Sequence, residues 1–158
     1  MYLVSNLFFF MVNTHSGFKA LGNIDMDWKN ISRGILTAVM TNRSGGALVQ
    51  GDVAVIDPNN DRSVITTTPA GYELGVGVVQ VGGNNLASVE VIFAGYIPRM
   101  KTTASAGTGR GQFLKTSTTA KKAQLSGTSG GAGDFAVAIT QAGGDGFLAA
   151  IFKTPEVY

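Results

Sequence analysis

Few side chains in this sequence are spaced for chemistry, and each has a plain structural reading beside the chemical one. His15 is the single histidine. A catalytic base needs an orienting acid and a nucleophile in reach, and nothing around His15 specifies either. Asp57-x-Asn59-x-Asp61 opens like the calcium loop of an EF-hand. Arg62 then stands where the glycine of that loop belongs, and no glutamate closes it at the twelfth position. The segment reads as a turn, in which Pro58 sets φ and the Asn and Asp side chains bond their own backbone. Gly107-x-Gly109-x-Gly111 suggests a phosphate cradle, but a dinucleotide loop is followed by a helix. Here Phe113-Leu114-Lys115-Thr116 reads as a strand. Asp52, Glu73 and Glu90 would have to converge to hydrolyse a glycoside, and no pattern singles them out. The sequons at Asn30 and Asn42 carry little weight without a secretory signal.

The one charge asymmetry is basic. No acid lies between Glu90 and Asp134, while Arg99, Lys101, Arg110, Lys115, Lys121 and Lys122 all do. Phe113 is the only aromatic residue interleaved from Arg99 to Lys122, so base stacking is poorly served. The run reads as a solvated face or as an electrostatic contact for an acidic protein surface. Nucleic acid is not expected as a partner.

Composition agrees with this. There is no cysteine, which excludes disulfides, thiolate catalysis and cysteine-based metal sites. Charged residues make up 14% and glycine contributes 22 of 158 residues, a profile of tight turns and small strand residues. Apolar content is 44%, enough for a core in a chain of one-domain length. The net charge of +2 is only mildly basic. No stretch reaches the roughly 18 apolar residues of a membrane helix, so no membrane partner is expected.

The elements that must position these residues are strands. Ile35 to Thr41, Ser63 to Thr67, Leu74 to Val81 and Ala87 to Ile97 read as strands between Gly, Pro, Asn and Asp turns, and Ala47 to Asp57 alternates apolar and small residues with a bulge or bend expected at Gly51. In the last of these Val89, Val91 and Phe93 share one face, with Glu90 and Ile92 on the other. The sparse side chains at Gly75 and Gly77 suit the close approach of a backbone or a bulky ring. Pro98 to Gly111 reads as the longest loop. Then come GQFLKTS, AQLS, and a hairpin of Asp134 to Gln141 with Phe147 to Lys153.

The stretch from Gly51 to Phe93 reads as one unit written twice. Gly51 matches Gly111, Gln80 matches Gln141, Gly82-Gly83 matches Gly143-Gly144, and Ile92-Phe93 matches Ile151-Phe152. The expected architecture is all-β: a compact β-barrel or β-sandwich with two pseudo-repeated halves and an extended N-terminal arm. Residues 1–30 form the arm and connector. Residues 31–158 form one β domain, with repeats at about 51–93 and 111–152. The arm carries Tyr2, Leu3, Phe8, Phe9 and Phe10, too many large apolar groups to leave in water. It either adds a strand or plug to its own domain or docks on a neighbouring polypeptide by strand addition. A start at Met11 or Met26 is the third reading.

The order GDVAVID, LGVGVVQ, VEVIFAGYIP, GQFLKTS, FAVAITQA and FLAAIF, over roughly Gly45 to Phe152, resembles the small β-rich head decoration (capsid cement) proteins of tailed bacteriophages. The resemblance implies a virion structural protein and not an enzyme. It implies binding to the major capsid protein on the outer capsid surface, self-association as a homotrimer, and bridging of capsomers to stabilise the shell. On that reading Tyr2, Leu3, Phe8, Phe9 and Phe10 dock on a neighbour, and Arg99, Lys101, Arg110 and Lys115 meet an acidic shell. No catalytic, cofactor-binding or metal-binding residue is expected. The alternatives are a particle-displayed adhesin for a host surface or carbohydrate, and another virion part such as a tail or head-fibre base protein. A hydrolase is the remaining rival.

Overall fold

The structure, a computed structural model, describes residues 34–66, 75–103, 109–142 and 146–153. The arm residues Tyr2, Leu3, Phe8, Phe9 and Phe10 lie outside them. Among the described residues the chain is all-β. Nine strands follow in order: β1 (Ile35–Asn42), β2 (Val53–Ile56), β3 (Ser63–Ile65), β4 (Val76–Val81), β5 (Ser88–Lys101), β6 (Phe113–Thr116), β7 (Ala123–Gly127), β8 (Asp134–Ala138) and β9 (Phe147–Phe152). The sheet runs β1-β3-β2-β4-β5-β9-β8-β6-β7, and β1 also pairs with β5.

Those pairings close two rings that share one strand. In the first, β1 runs parallel to β3, β3 pairs β2, β2 pairs β4, β4 pairs β5, and the N-terminal part of β5 returns to β1. In the second, the C-terminal part of β5 pairs β9, then β8, β6 and β7 follow. A parallel bridge from Thr102 to Ala123 closes that ring. Closure removes free sheet edges, the barrel solution to an all-β chain.

The repeat is thus longer than the sequence suggested. β5 serves as the last strand of one unit and the first of the next, so its segment after Gly95 is the counterpart of β1. This corrects the reading of Pro98 to Gly111 as a loop: Pro98 to Lys101 is strand. Proline is tolerated there because the register shifts between Ile97 and Met100, and a bulge does not need its missing N–H. Pro98 and Arg99 face outward while Ile97 and Met100 are buried. Ala47 to Asp52 is likewise not strand but a turn with one bridge, Leu48 to Gly83.

Backbone hydrogen bonds show the duplication residue by residue. Gly51 N–H donates to Val79 O at 2.8 Å, and Gly111 N–H donates to Ala138 O at 2.8 Å. Val79 N–H donates to Asp52 O and Ala138 N–H to Gln112 O, each at 2.9 Å. Val78 pairs with Ile92 as Val137 pairs with Ile151, so the match of Ile92-Phe93 with Ile151-Phe152 holds. The match of Gln80 with Gln141 does not: counting from Val79 and Ala138, the counterpart of Gln80 is Ile139.

Each ring has its own apolar interior. The first holds Ala38, Met40, Ala54, Val64, Val79, Val89 and Val91. At counterpart positions the second holds Ile97, Met100, Leu114, Ala123, Ala138, Leu148 and Ala150. Residue sizes are exchanged between the two: Ala38 and Ala54 become Ile97 and Leu114, while Val64, Val79 and Val91 become Ala123, Ala138 and Ala150. Trading large for small across a core keeps its volume. The outward side chains Val53, Val55, Val76 and Val78 of the first ring belong to the same cluster as the second ring's interior, so the rings pack as one body. Gly77 lies where a Cβ would come within 2.4 Å of Val91 and 2.8 Å of the Phe93 ring, the close approach its bare backbone suggested.

Candidate interaction surface

Two of the predicted basic residues sit where the rings join. Gly51, at φ +89°, lets the chain reverse before β2. Lys101 N–H donates to its carbonyl at 2.9 Å, and the Phe147 ring lies so close that a Cβ there would be 3.1 Å from it. The next residue, Asp52, is fully buried. Its Oδ2 accepts Val49 N–H at 2.9 Å and its Oδ1 accepts the Lys101 ammonium at 2.5 Å. A buried carboxylate is tolerated only when paired and hydrogen-bonded, and Lys101 provides that from the far half of the repeat. Arg99 lies over the Phe147 ring, 3.7 Å from its centre, a cation–π contact on an exposed edge of the same junction.

The second repeat solves the same turn without a charge. Gln112 stands where Asp52 does, and Gly109 N–H donates to its Oε1 at 2.7 Å. Another cation ties the halves: Lys121 Nζ donates to Ala47 O at 2.7 Å, while Lys121 O accepts Val53 N–H at 2.9 Å.

The remaining predicted cations lie elsewhere. Arg110 is exposed at the Gly111 turn, and Lys115 is half-buried on β6. Arg99 and Lys101 lie on β5, whereas Arg110 and Lys115 lie before and on β6, which meets β5 through β8 and β9 on one side and through β7 on the other. The sequence signalled Gly51 and Lys101 but not their joint role. Phe147 and Asp52 gave no sign of being partners, since residues far apart in the chain meet only through β5 and β9.

The Asp57 turn uses its carboxylate locally. Oδ1 accepts Asn59 N–H at 2.9 Å and Oδ2 accepts Asn60 Nδ2 at 2.7 Å. Those two bonds, with Arg43 nearby, hold its carboxyl below the usual carboxylate range against the opposing cost of burial. Both oxygens are spent on the turn, as the departure from the EF-hand pattern suggested. Among the described residues no cluster of acids and histidines is arranged to hold a metal, and no helix is long and apolar enough to cross a membrane.

Large apolar side chains remain outside. Tyr96, Ile139, Phe147 and Ile151 are exposed in the second ring, and Val39, Ile56, Val81 and Leu86 in the first. Such side chains are available for protein contact.

No family model and no curated protein matches the chain. Among solved structures it is similar to the N base of the head fibre protein gp8.5 of bacteriophage phi29, with a TM-score of 0.55 over 75% of this chain and 94% of that one, at 10% identity. At that identity the two chains share a fold, an all-β one.

Proposed function

We propose that the chain is a virion structural protein that decorates the outer surface of a tailed-phage head, bridging copies of the major capsid protein as a homotrimer. The observation that carries this reading is the fold likeness to a head fibre base. It meets the resemblance of the strand-and-glycine order to capsid cement proteins, which was read from different features. The role is mechanical, and no reaction is assigned. Each contact is weak alone, but a symmetric oligomer on a repeating lattice multiplies it through effective concentration. Arg110 and Lys115 are the basic residues best placed to meet an acidic shell, since Lys101 is held by Asp52 and Arg99 by Phe147.

The test is co-sedimentation of the full chain with purified capsids of its phage. Saturable binding is expected, and deleting residues 1–12 is expected to lower occupancy. Unchanged occupancy rejects the role of Tyr2, Leu3, Phe8, Phe9 and Phe10, and no binding at all rejects the cement reading. The head-fibre neighbour favours one second reading, that the domain is the base of a projecting fibre. A cement protein delays thermal release of packaged DNA from the shells it coats, whereas a fibre base leaves that temperature unchanged.

A further inference from the structure

One cross-strand row has opposite fates in the two rings. In the second ring Tyr96 pairs with Ile151, Ile151 with Val137, and Val137 with Phe113. These four share one face across β5, β9, β8 and β6. The counterpart row in the first ring is Thr37, Ile92, Val78 and Val53. That row is buried, to 2%, 2%, 0% and 1% exposure, yet Tyr96 and Ile151 stand at 43% and 46%. Val53 and Val78 belong to the cluster built on the second ring's interior. What this kind of row packs on within the molecule is therefore another ring of the same design.

Charge says which ring of another copy fits. Residues 35–93 carry two basic and five acidic side chains, net −3, and residues 94–153 carry seven basic and two acidic, net +5. The row, exposed at Tyr96 and Ile151 and half-buried at Val137 and Phe113, has a basic rim: Lys115 follows on β6, and the Lys153 ammonium lies 6.0 Å from the Phe113 ring centre. The first ring offers an outward row of Val39, Glu90 and Val81, paired in register across β1, β5 and β4. Val39 and Val81 are exposed on either side of the acid. An apolar strip with a basic rim faces an apolar strip with an acidic centre, and complementary potentials of this kind set register and orientation.

We infer that the second ring of one copy docks on the first ring of another, head to tail, through the Tyr96–Ile151–Val137–Phe113 row against the Val39–Glu90–Val81 row. Such a contact is heterologous, and it makes a closed ring of copies where the rotation closes. The inference goes beyond the capsid contact and rests only on the chain itself, so it is tested without capsids.

The experiment is light scattering on the full chain after size exclusion, at low and high salt. The wild type is expected to associate, less so at high salt as the opposite charges are screened. Ile151→Asp and Val81→Lys, each at an exposed position, are each expected to weaken association about tenfold or more. Equimolar mixing of the two variants is expected to restore a species of two copies and none larger, since each variant keeps the half the other lacks. Circular dichroism checks that the β fold persists; should Ile151→Asp unfold, Tyr96→Ser replaces it. A monomeric wild type at the highest attainable concentration overturns the inference, as does an oligomer indifferent to both variants. Failure of the mixed variants to pair overturns the head-to-tail arrangement. Capsid binding measured in parallel separates this outcome from that of the proposed function.

Discussion

Replacing Lys101 by methionine tests how the two rings are held together. Methionine keeps most of the apolar stem and removes the ammonium. Asp52 is then a fully buried carboxylate whose remaining partner is the Val49 N–H, 2.9 Å away. Breaking one side of a buried ion pair costs about 3–5 kcal/mol. Lys101 itself is 25% exposed, so water can reach part of the vacated space, and the lower figure of about 2–3 kcal/mol is the one expected. For a domain of this size that lowers the melting temperature by roughly 8–12 °C. Asp52→Asn removes the charge but keeps an acceptor for Val49 N–H, as Gln112 does for Gly109 in the second repeat. The lysine left behind rehydrates, so the cost is about 1 kcal/mol. The double variant is expected to be no less stable than Asp52→Asn, a coupling of about 2–3 kcal/mol in a double-mutant cycle followed by urea denaturation. Lys101→Met within about 0.5 kcal/mol of wild type, or strict additivity in the cycle, would show that the pair does not bind the halves.

Gly77→Ala places a Cβ within 2.4 Å of Val91 and 2.8 Å of Phe93, and overpacking of this kind costs about 1–3 kcal/mol. Gly46→Ala meets nothing within 4 Å and serves as the control, expected near neutral; equal midpoints for the two in urea would contradict the packing described for the first ring. Asp57 has a lowered folded pKa, so its contribution to stability is present above the ordinary carboxylate value of 3.8 and is lost as pH falls through the folded value. The stability gap between wild type and Asp57→Asn is therefore expected to be constant near neutrality and to shrink below about pH 4. A gap that widens on acidification would mean that the carboxylate is not the acceptor that holds this turn.

Much of the fold was legible because its causes are local. Alternation in VEVIF, β-branched runs, and turns of Gly, Asn and Asp mark most strands without tertiary help, and the paired Gly51 and Gly111 mark the two units. Boundaries erred where a strand broke its local rule, as at Pro98, whose missing N–H argued for a loop until the bulge between Ile97 and Met100 made room for it. The repeat looked shorter and looser than it is because a closed ring constrains total core volume, not each residue. Ala54 can answer to Leu114 and Val64 to Ala123 while the two interiors remain equally full.

The candidate surface was only half legible, for a reason of distance. Charge can be counted along the chain, so the basic second half was visible at once. The partner of each charge was not: Asp52 lies beside Lys101, and Phe147 beside Arg99, only because β5 passes from one ring into the other. The sequence by itself determined an all-β chain of two glycine-marked units with unequal charge, since strand periodicity, turn chemistry and net charge are properties of neighbours in the chain. The tertiary structure decided that one strand is shared between two closed rings, which cations are already held, and which apolar row is buried in one ring and partly exposed in the other. Those depend on contacts between residues that only the closure of each ring brings within hydrogen-bonding and packing range.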